Sequence, residues 1–142
     1  MSYITPDTSL NRRLQIAEYT ISGTPNANDY FTMTYEKGTF GAAAGGSGTT
    51  TLYMPAGHYM FRACLDTTRT NSQFNYYFQF EVNGSVVGLN GLTGLYNNYR
   101  ADVAEATYTA KTGFELRLKA SFVESGFPTL TNSSKAFIWR ID

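Results

Sequence analysis

The stretch FNYYFQFEVNGSVV, Phe74 to Val87, decides the fold. In an extended chain Phe74, Tyr76, Phe78, Phe80 and Val82 fall on one side, and Asn75, Tyr77, Gln79 and Glu81 on the other. This period of two marks a strand with one core face. Asn83-Gly84 follows at once, and Ser85-Val86-Val87 resumes the apolar character. Both central residues of a type I′ turn need positive φ, which Asn and Gly supply at little cost, so the chain doubles back as a hairpin. The alternation returns from Phe114 to Phe122, where Phe114, Leu116, Leu118, Ala120 and Phe122 oppose Glu115, Arg117, Lys119 and Ser121. The second face of that strand is expected to be wet.

Working outward, shorter strands are expected at Leu14 to Ile21, Tyr30 to Tyr35, Thr50 to Met54, Val103 to Thr109 and Lys135 to Ile141. SGTPNAND, GAAAGGSG, NGLTGLYNN and ESGFPTLTNSS read as the loops between them. Gly, Pro, Asn and Ser interrupt every would-be helix, and ADVAEATY, the one stretch with helical character, is too short to stand alone and runs into Thr107 and Tyr108. The chain therefore reads as all-β, an antiparallel sandwich or barrel of eight or so short strands without substantial helix. Its 142 residues suit one domain. The polar, unpatterned residues 1–11 form an arm expected to order only against a partner, and residues 12–142 form the domain.

Eleven Lys and Arg balance eleven Asp and Glu. No long-range field draws such a chain to nucleic acid or to an anionic membrane. No stretch approaches a membrane span and the start lacks a signal-peptide core, so the chain is expected to be soluble and not exported. A single cysteine allows no internal disulfide.

The only histidine and the only cysteine lie in PAGHYMFRACLD, Pro55 to Asp66. Alternation there places Tyr59, Phe61, Ala63 and Leu65 on one face and His58, Met60, Arg62 and Cys64 on the other. Six residues of strand separate His58 from Cys64 by about 20 Å, too far for a dyad or for two ligands of one metal. The chain has no second His or Cys to complete a zinc set or a Cys-His or Ser-His nucleophile. Cys64 reads as a small, half-buried apolar residue; His58 is either a solvated side chain or one that meets its own copies in a symmetric oligomer. Met60 and Cys64 are unusual on a water-facing strand, which points to cover by another subunit.

At this stretch the chain resembles the globular heads of complement and collagen-related proteins, which share their jelly roll with tumour necrosis factor. Pro55, Gly57, Tyr59 and Phe61 match the G-x-Y-x-F signature. A strand ending in Asn-Gly (EVNGSVV), a Thr-rich strand, a Gly-led strand (TGFELRLKASF) and a C-terminal aromatic strand (KAFIWRID) follow at similar spacing. Ala63 and Thr51 stand where the family usually has further aromatics. The resemblance covers about Leu14 to Ile141 and implies a two-sheet jelly roll that assembles as a trimer, with side chains of one sheet packed along a three-fold axis. The 11 Tyr, 10 Phe and one Trp agree with an aromatic-rich interface. Similar stalkless heads occur in bacterial viruses, as capsid decoration or fibre-tip proteins.

Other signals are weaker. FGAAAGGSGTT lacks the Gly-Lys-Ser/Thr ending of a phosphate loop and reads as a connector. The sequons at Asn83 and Asn132 read as turns. A glycosidase pair drawn from Glu81, Glu105 or Glu115 would be arbitrary, because carboxylates occur in nearly every segment. The expectation is thus a non-enzymatic virion protein, assembled in a host cytoplasm, with no cofactor and no metal: a homotrimer that decorates or stabilises a larger particle such as a capsid or fibre. His58, Met60, Arg62, Cys64 and Tyr77 are its candidate interface. The alternative is a receptor- or glycan-binding head of a fibre or spike. Its candidate loop is Tyr96, Asn97, Asn98, Tyr99 and Arg100 within NGLTGLYNNYRAD, a mixture of rigid amphipathic area and adaptable hydrogen bonds.

Overall fold

The computed structural model describes residues 14–39, 48–68, 75–94, 100–123 and 129–141. Every regular element among them is a strand: β1 (Leu14–Ser22), β2 (Thr32–Gly38), β3 (Leu52–Met54), β4 (Gly57–Thr68), β5 (Asn75–Val82), β6 (Ser85–Gly94), β7 (Arg100–Ala110), β8 (Phe114–Val123), β9 (Thr129–Leu130) and β10 (Lys135–Ile141). All pairings are antiparallel. A first sheet runs β2-β1-β10-β4-β7, and a second runs β6-β5-β8-β3. ADVAEATY is strand, inside β7.

The two sheets join through β6, which pairs with β5 over Ser85–Val87 and again over Gly91–Gly94; between these stretches the strand makes a corner that touches β7 at Leu89↔Glu105. Gly88 makes that corner with φ +74°. A Cβ there would lie 2.5 Å from the Ala106 Cβ and closer still to the Glu105 carbonyl oxygen, so only glycine lets the strands approach. The β5–β6 turn has Asn83 at φ 48° and Gly84 at φ 88°, the two positive values that a type I′ hairpin requires.

The core lies between the sheets. Tyr59, Phe61, Ala63 and Leu65 enter it from β4, Phe78, Phe80 and Val82 from β5, and Phe114, Leu116, Leu118 and Ala120 from β8. The Phe61 ring meets Phe80 from the opposite sheet at 5.4 Å between centroids, and Tyr59 meets Phe114 edge-on at 5.2 Å. Such pairs add to the burial of the rings themselves. Alternation therefore assigns the inward residues of all three diagnostic strands. The side chains of Phe74, Tyr76 and Phe122 lie outside the described residues.

Four expectations need correction. The expected strand at Thr50 to Met54 shortens to β3, and Tyr30 is not in β2 but makes a lone bridge to Lys119. NGLTGLYNNYRAD is not one loop: β6 continues to Gly94 and β7 begins at Arg100. Tyr77↔Leu92 and Phe78↔Gly91 show that backbone pairing carries the Gly- and Asn-rich half of β6 without an apolar pattern. The outward face of β8 is not fully wet. Tyr30 crosses it, so Arg117 and Lys119 are half-buried, and Glu81, an outward position of β5, is only 4% exposed. Its carboxylate accepts a 2.8 Å bond from the Tyr30 hydroxyl and lies 3.7 Å from Lys119 Nζ.

Two tests address the core. Phe78→Asp places an unpartnered charge where exposure is zero and is expected to cost several kcal/mol, enough to unfold a domain of ordinary stability. Gln79→Asp, on the half-exposed side of the same strand, should be mild; chemical denaturation separates the two. Burial pushes the Tyr19 hydroxyl up to about 12, with the nearby Tyr35 adding to the effect. Because the folded value exceeds the ordinary 10, this contribution is complete below pH 10 and is lost as pH rises towards 12. Across that window the stability advantage of the native chain over Tyr19→Phe should shrink by about 2–3 kcal/mol, read from denaturation curves at fixed pH.

Candidate functional site

The outward face of the first sheet is built by register. Antiparallel pairing sets Met60 beside Trp139 and Thr107, and sets Trp139 beside Ile16. One step along, His58 pairs with Ile141 and Thr109, and Ile141 with Leu14. In the other direction Arg62 pairs with Phe137 and Glu105. The result is an apolar area of Leu14, Ile16, Met60, Phe137, Trp139 and Ile141 across three adjacent strands. Met60 is 40% and Ile141 44% exposed. The Phe137 and Trp139 rings stack at 5.9 Å. A concavity of about 330 Å³ opens among Leu14, His58, Met60, Trp139 and Ile141.

Polar groups border this area. Arg62 Nη2 and Nε each lie 2.8 Å from Glu105 Oε1, a cross-strand pair that holds both chains flat against the sheet. His58 Nδ1 lies 3.1 Å from Thr109 Oγ1. Toward the far end the face turns polar: Lys135 Nζ donates to Thr20 Oγ1 at 2.9 Å, and that hydroxyl donates to Glu36 Oε1 at 2.6 Å. Cys64, opposite Lys135 and Val103, is half-buried there and distant in register from His58. His58, Met60, Arg62 and Cys64 thus share one face, as alternation implies.

Tyr77 does not join them. It is 37% exposed on β5 of the second sheet, paired with Leu92 and Phe122 across the core from β4. Parity along one strand gives a residue's side but not which of two sheets it faces away from. Phe137 and Trp139 are the functional candidates that single-strand reading missed. Their signal is present in KAFIWRI, where both sides of the alternation are apolar, the pattern of a strand covered on two faces. Tyr96, Asn97, Asn98 and Tyr99 lie outside the described residues, as do residues 1–11. Arg100 opens β7, paired to Thr67.

The outward face of the second sheet has a different chemistry. Glu81, Tyr30, Arg117 and Lys119 form a self-contained network, in which Arg117 lies 4.7 Å over the Tyr30 ring and donates from Nε to Thr51 Oγ1 at 2.8 Å. The hydrogen bond to Tyr30 is the largest influence holding the Arg117 guanidinium above its usual value. Among the described residues no three His, Cys, Asp or Glu side chains gather in a way that suits a metal ion.

No protein-family model matches the sequence, and no curated protein matches it. Solved structures do. Murine APRIL at pH 5.0 superposes with a TM-score of 0.61 at 9% identity, covering 90% of this chain and 99% of that one. The Eiger TNF of S. frugiperda gives 0.57 at 10% identity over 92% and 94% of the two chains. The globular domain of zebrafish complement 1qA gives 0.56 at 10% identity over 89% and 94%. The chain therefore has the antiparallel jelly-roll fold of the tumour-necrosis-factor and complement globular-head type.

Proposed function

We propose that this chain is a non-enzymatic assembly protein whose first sheet packs against copies of itself to form a homotrimer. The observation that carries the proposal is the contiguous apolar area of Leu14, Ile16, Met60, Phe137, Trp139 and Ile141 on a sheet face whose other side is already committed to the core. Exposed area of this kind, with stacked aromatics and a methionine at its centre and an Arg62–Glu105 pair at its border, has the composition of a subunit interface. The resemblance to tumour-necrosis-factor-type heads supplies the number three and the axis along which the faces meet.

The trimer is proposed to decorate or stabilise a larger symmetric particle, a bacteriophage virion, with residues 1–11 as the attaching segment. Balanced charge and a polar leading segment favour attachment by local contacts rather than by a long-range field. The alternative, a receptor- or glycan-binding head, draws on the Tyr- and Asn-rich stretch Tyr96–Arg100.

Native mass by light scattering should be near three times 15.8 kDa. Met60→Lys should reduce it to that of one chain with an unchanged circular dichroism spectrum, because the substitution puts a charge at the centre of the interface and little in the core. A monomeric native protein, or a trimer indifferent to this substitution, would refute the assembly. Removal of residues 1–11 should leave the trimer intact and abolish binding to the particle. Retained binding would exclude that segment as the attachment.

A further inference from the structure

We propose that the second sheet carries a binding site for a neutral pyranose sugar, built on Tyr53 with Asn83 and Glu115. The site is a shallow concavity of about 610 Å³ where β3, the β5–β6 turn and the start of β8 meet, bordered by Tyr53, Met54, Pro55, Asn83, Phe114 and Glu115. Its volume falls in the range of small-molecule sites. It lies on the second sheet, whereas the apolar area of Met60, Trp139 and Ile141 lies on the first.

Tyr53 is the aromatic platform. It is 64% exposed while Leu52 and Met54 on either side of it are buried, so its ring is presented to solvent by a strand anchored in the core. Register sets Glu115 directly opposite Tyr53, which brings the two side chains to the same face at about 5 Å between Cβ atoms. Arg117, whose Nε is tied to Thr51, lies beside the Glu115 carboxylate, with Nη2 3.8 Å from Oε2.

Asn83 supplies the complementary group. Its backbone N–H donates to the Glu115 carbonyl at 3.0 Å, and its side-chain Oδ1 accepts from the Glu115 N–H at 2.9 Å. Because that backbone group can only donate, the oxygen of the carboxamide must face it, and the NH₂ is left directed away as a donor. The concavity thus combines an exposed ring, a carboxylate acceptor and an oriented amide donor over an apolar floor of Met54, Pro55 and Phe114.

A pyranose fits this set. Its C–H face packs on an aromatic ring, and adjacent hydroxyls each donate and accept, so one donates to the carboxylate and its neighbour accepts from the amide. An acidic sugar or a phosphate would meet the Glu115 charge, and the neighbouring Arg117 cation is already engaged by Glu115, Thr51 and the Tyr30 ring. An aliphatic side chain would leave both polar groups unused. The ligand class is therefore a neutral sugar, held weakly through an open site.

Saturation-transfer NMR of the full chain with methyl glucoside, galactoside, mannoside and N-acetylglucosaminide at about 10 mM tests this, since a dissociation constant near 1 mM is within its reach. Transfer is expected to at least one glycoside, retained in Tyr53→Trp, lost in Tyr53→Ala and weakened about tenfold in Glu115→Gln. Exposure of Tyr53 leaves the fold of these variants intact, and circular dichroism checks it. Absence of transfer to every glycoside, or transfer indifferent to Tyr53→Ala, overturns the site. Native mass is unaffected by either result, so this inference and the trimer stand or fall separately.

Discussion

Contact between the rings of opposite sheets is the constraint on which the rest of the molecule depends. Phe61 from β4 lies against Phe80 and Phe114 from β5 and β8, and Phe31 meets Phe78 edge-on from outside the regular strands. Two sheets stack about 10 Å apart, and only large side chains fill that space from both sides without voids. With a single cysteine and no helix among the described residues, nothing else bears the load. The corner at Gly88 follows from this packing. Between its two stretches of pairing with β5, β6 turns far enough to touch β7, and the backbone of β7 stands where any side chain at Gly88 would be.

With their inner faces committed to one another, the sheets differ in what they turn outward. The second sheet closes most of its outward charges on itself, through Tyr30, Glu81, Arg117 and Lys119. A buried carboxylate is tolerable only when paired and hydrogen-bonded, and Glu81 is both. Among the described residues, the outward apolar area of the first sheet is left partly exposed. Arg140, which has the parity of the core face, is instead used as a lid at the end of the sandwich, reaching Gln15 and the Ala56 carbonyl at 2.8 Å each and lying over the Tyr59 ring. The cation is thus kept at the end of the strand, and Trp139 next to it is left among apolar neighbours.

The parts of this arrangement that were legible in the sequence are those governed by local chemistry. Period-two alternation identified Phe61, Phe78, Phe80, Leu116 and Leu118 as core, and the Asn83-Gly84 pair fixed a hairpin, because both signals are complete within a few residues of chain. What could not be read depended on distant segments. Glu81 is buried by Tyr30, 51 residues away, and Tyr77 belongs to a different sheet from Met60, which no single strand records. Asn90–Gly94 carries no strand signal because a strand held by backbone bonds on its neighbour needs no apolar pattern of its own. The face proposed for assembly is half visible in the sequence: His58 to Cys64 lie on one strand, but its aromatic centre comes from β10, and only pairing puts Phe137 and Trp139 beside Arg62 and Met60.

The two proposed surfaces are related by the geometry of the sandwich. A strand offers its residues alternately to two sides, so a sheet whose inner side is core has one side left for any function, and two sheets give two such sides. Assembly needs a wide, apolar, flat area, and the first sheet supplies it across β1, β10 and β4. A sugar site needs few groups, rigidly set, and the end of the second sheet supplies them on β3 and β8 with a turn between β5 and β6. An open site with one ring and two polar groups binds a monosaccharide only weakly, and weak sites become effective when several are held at fixed spacing. Three copies joined through the first sheet, as proposed, would carry three such sites, which raises the effective concentration for a multivalent surface without any further contact. The proposed trimer and the proposed shallow site thus make different demands on the fold, and the two outward sides of the sandwich can meet both.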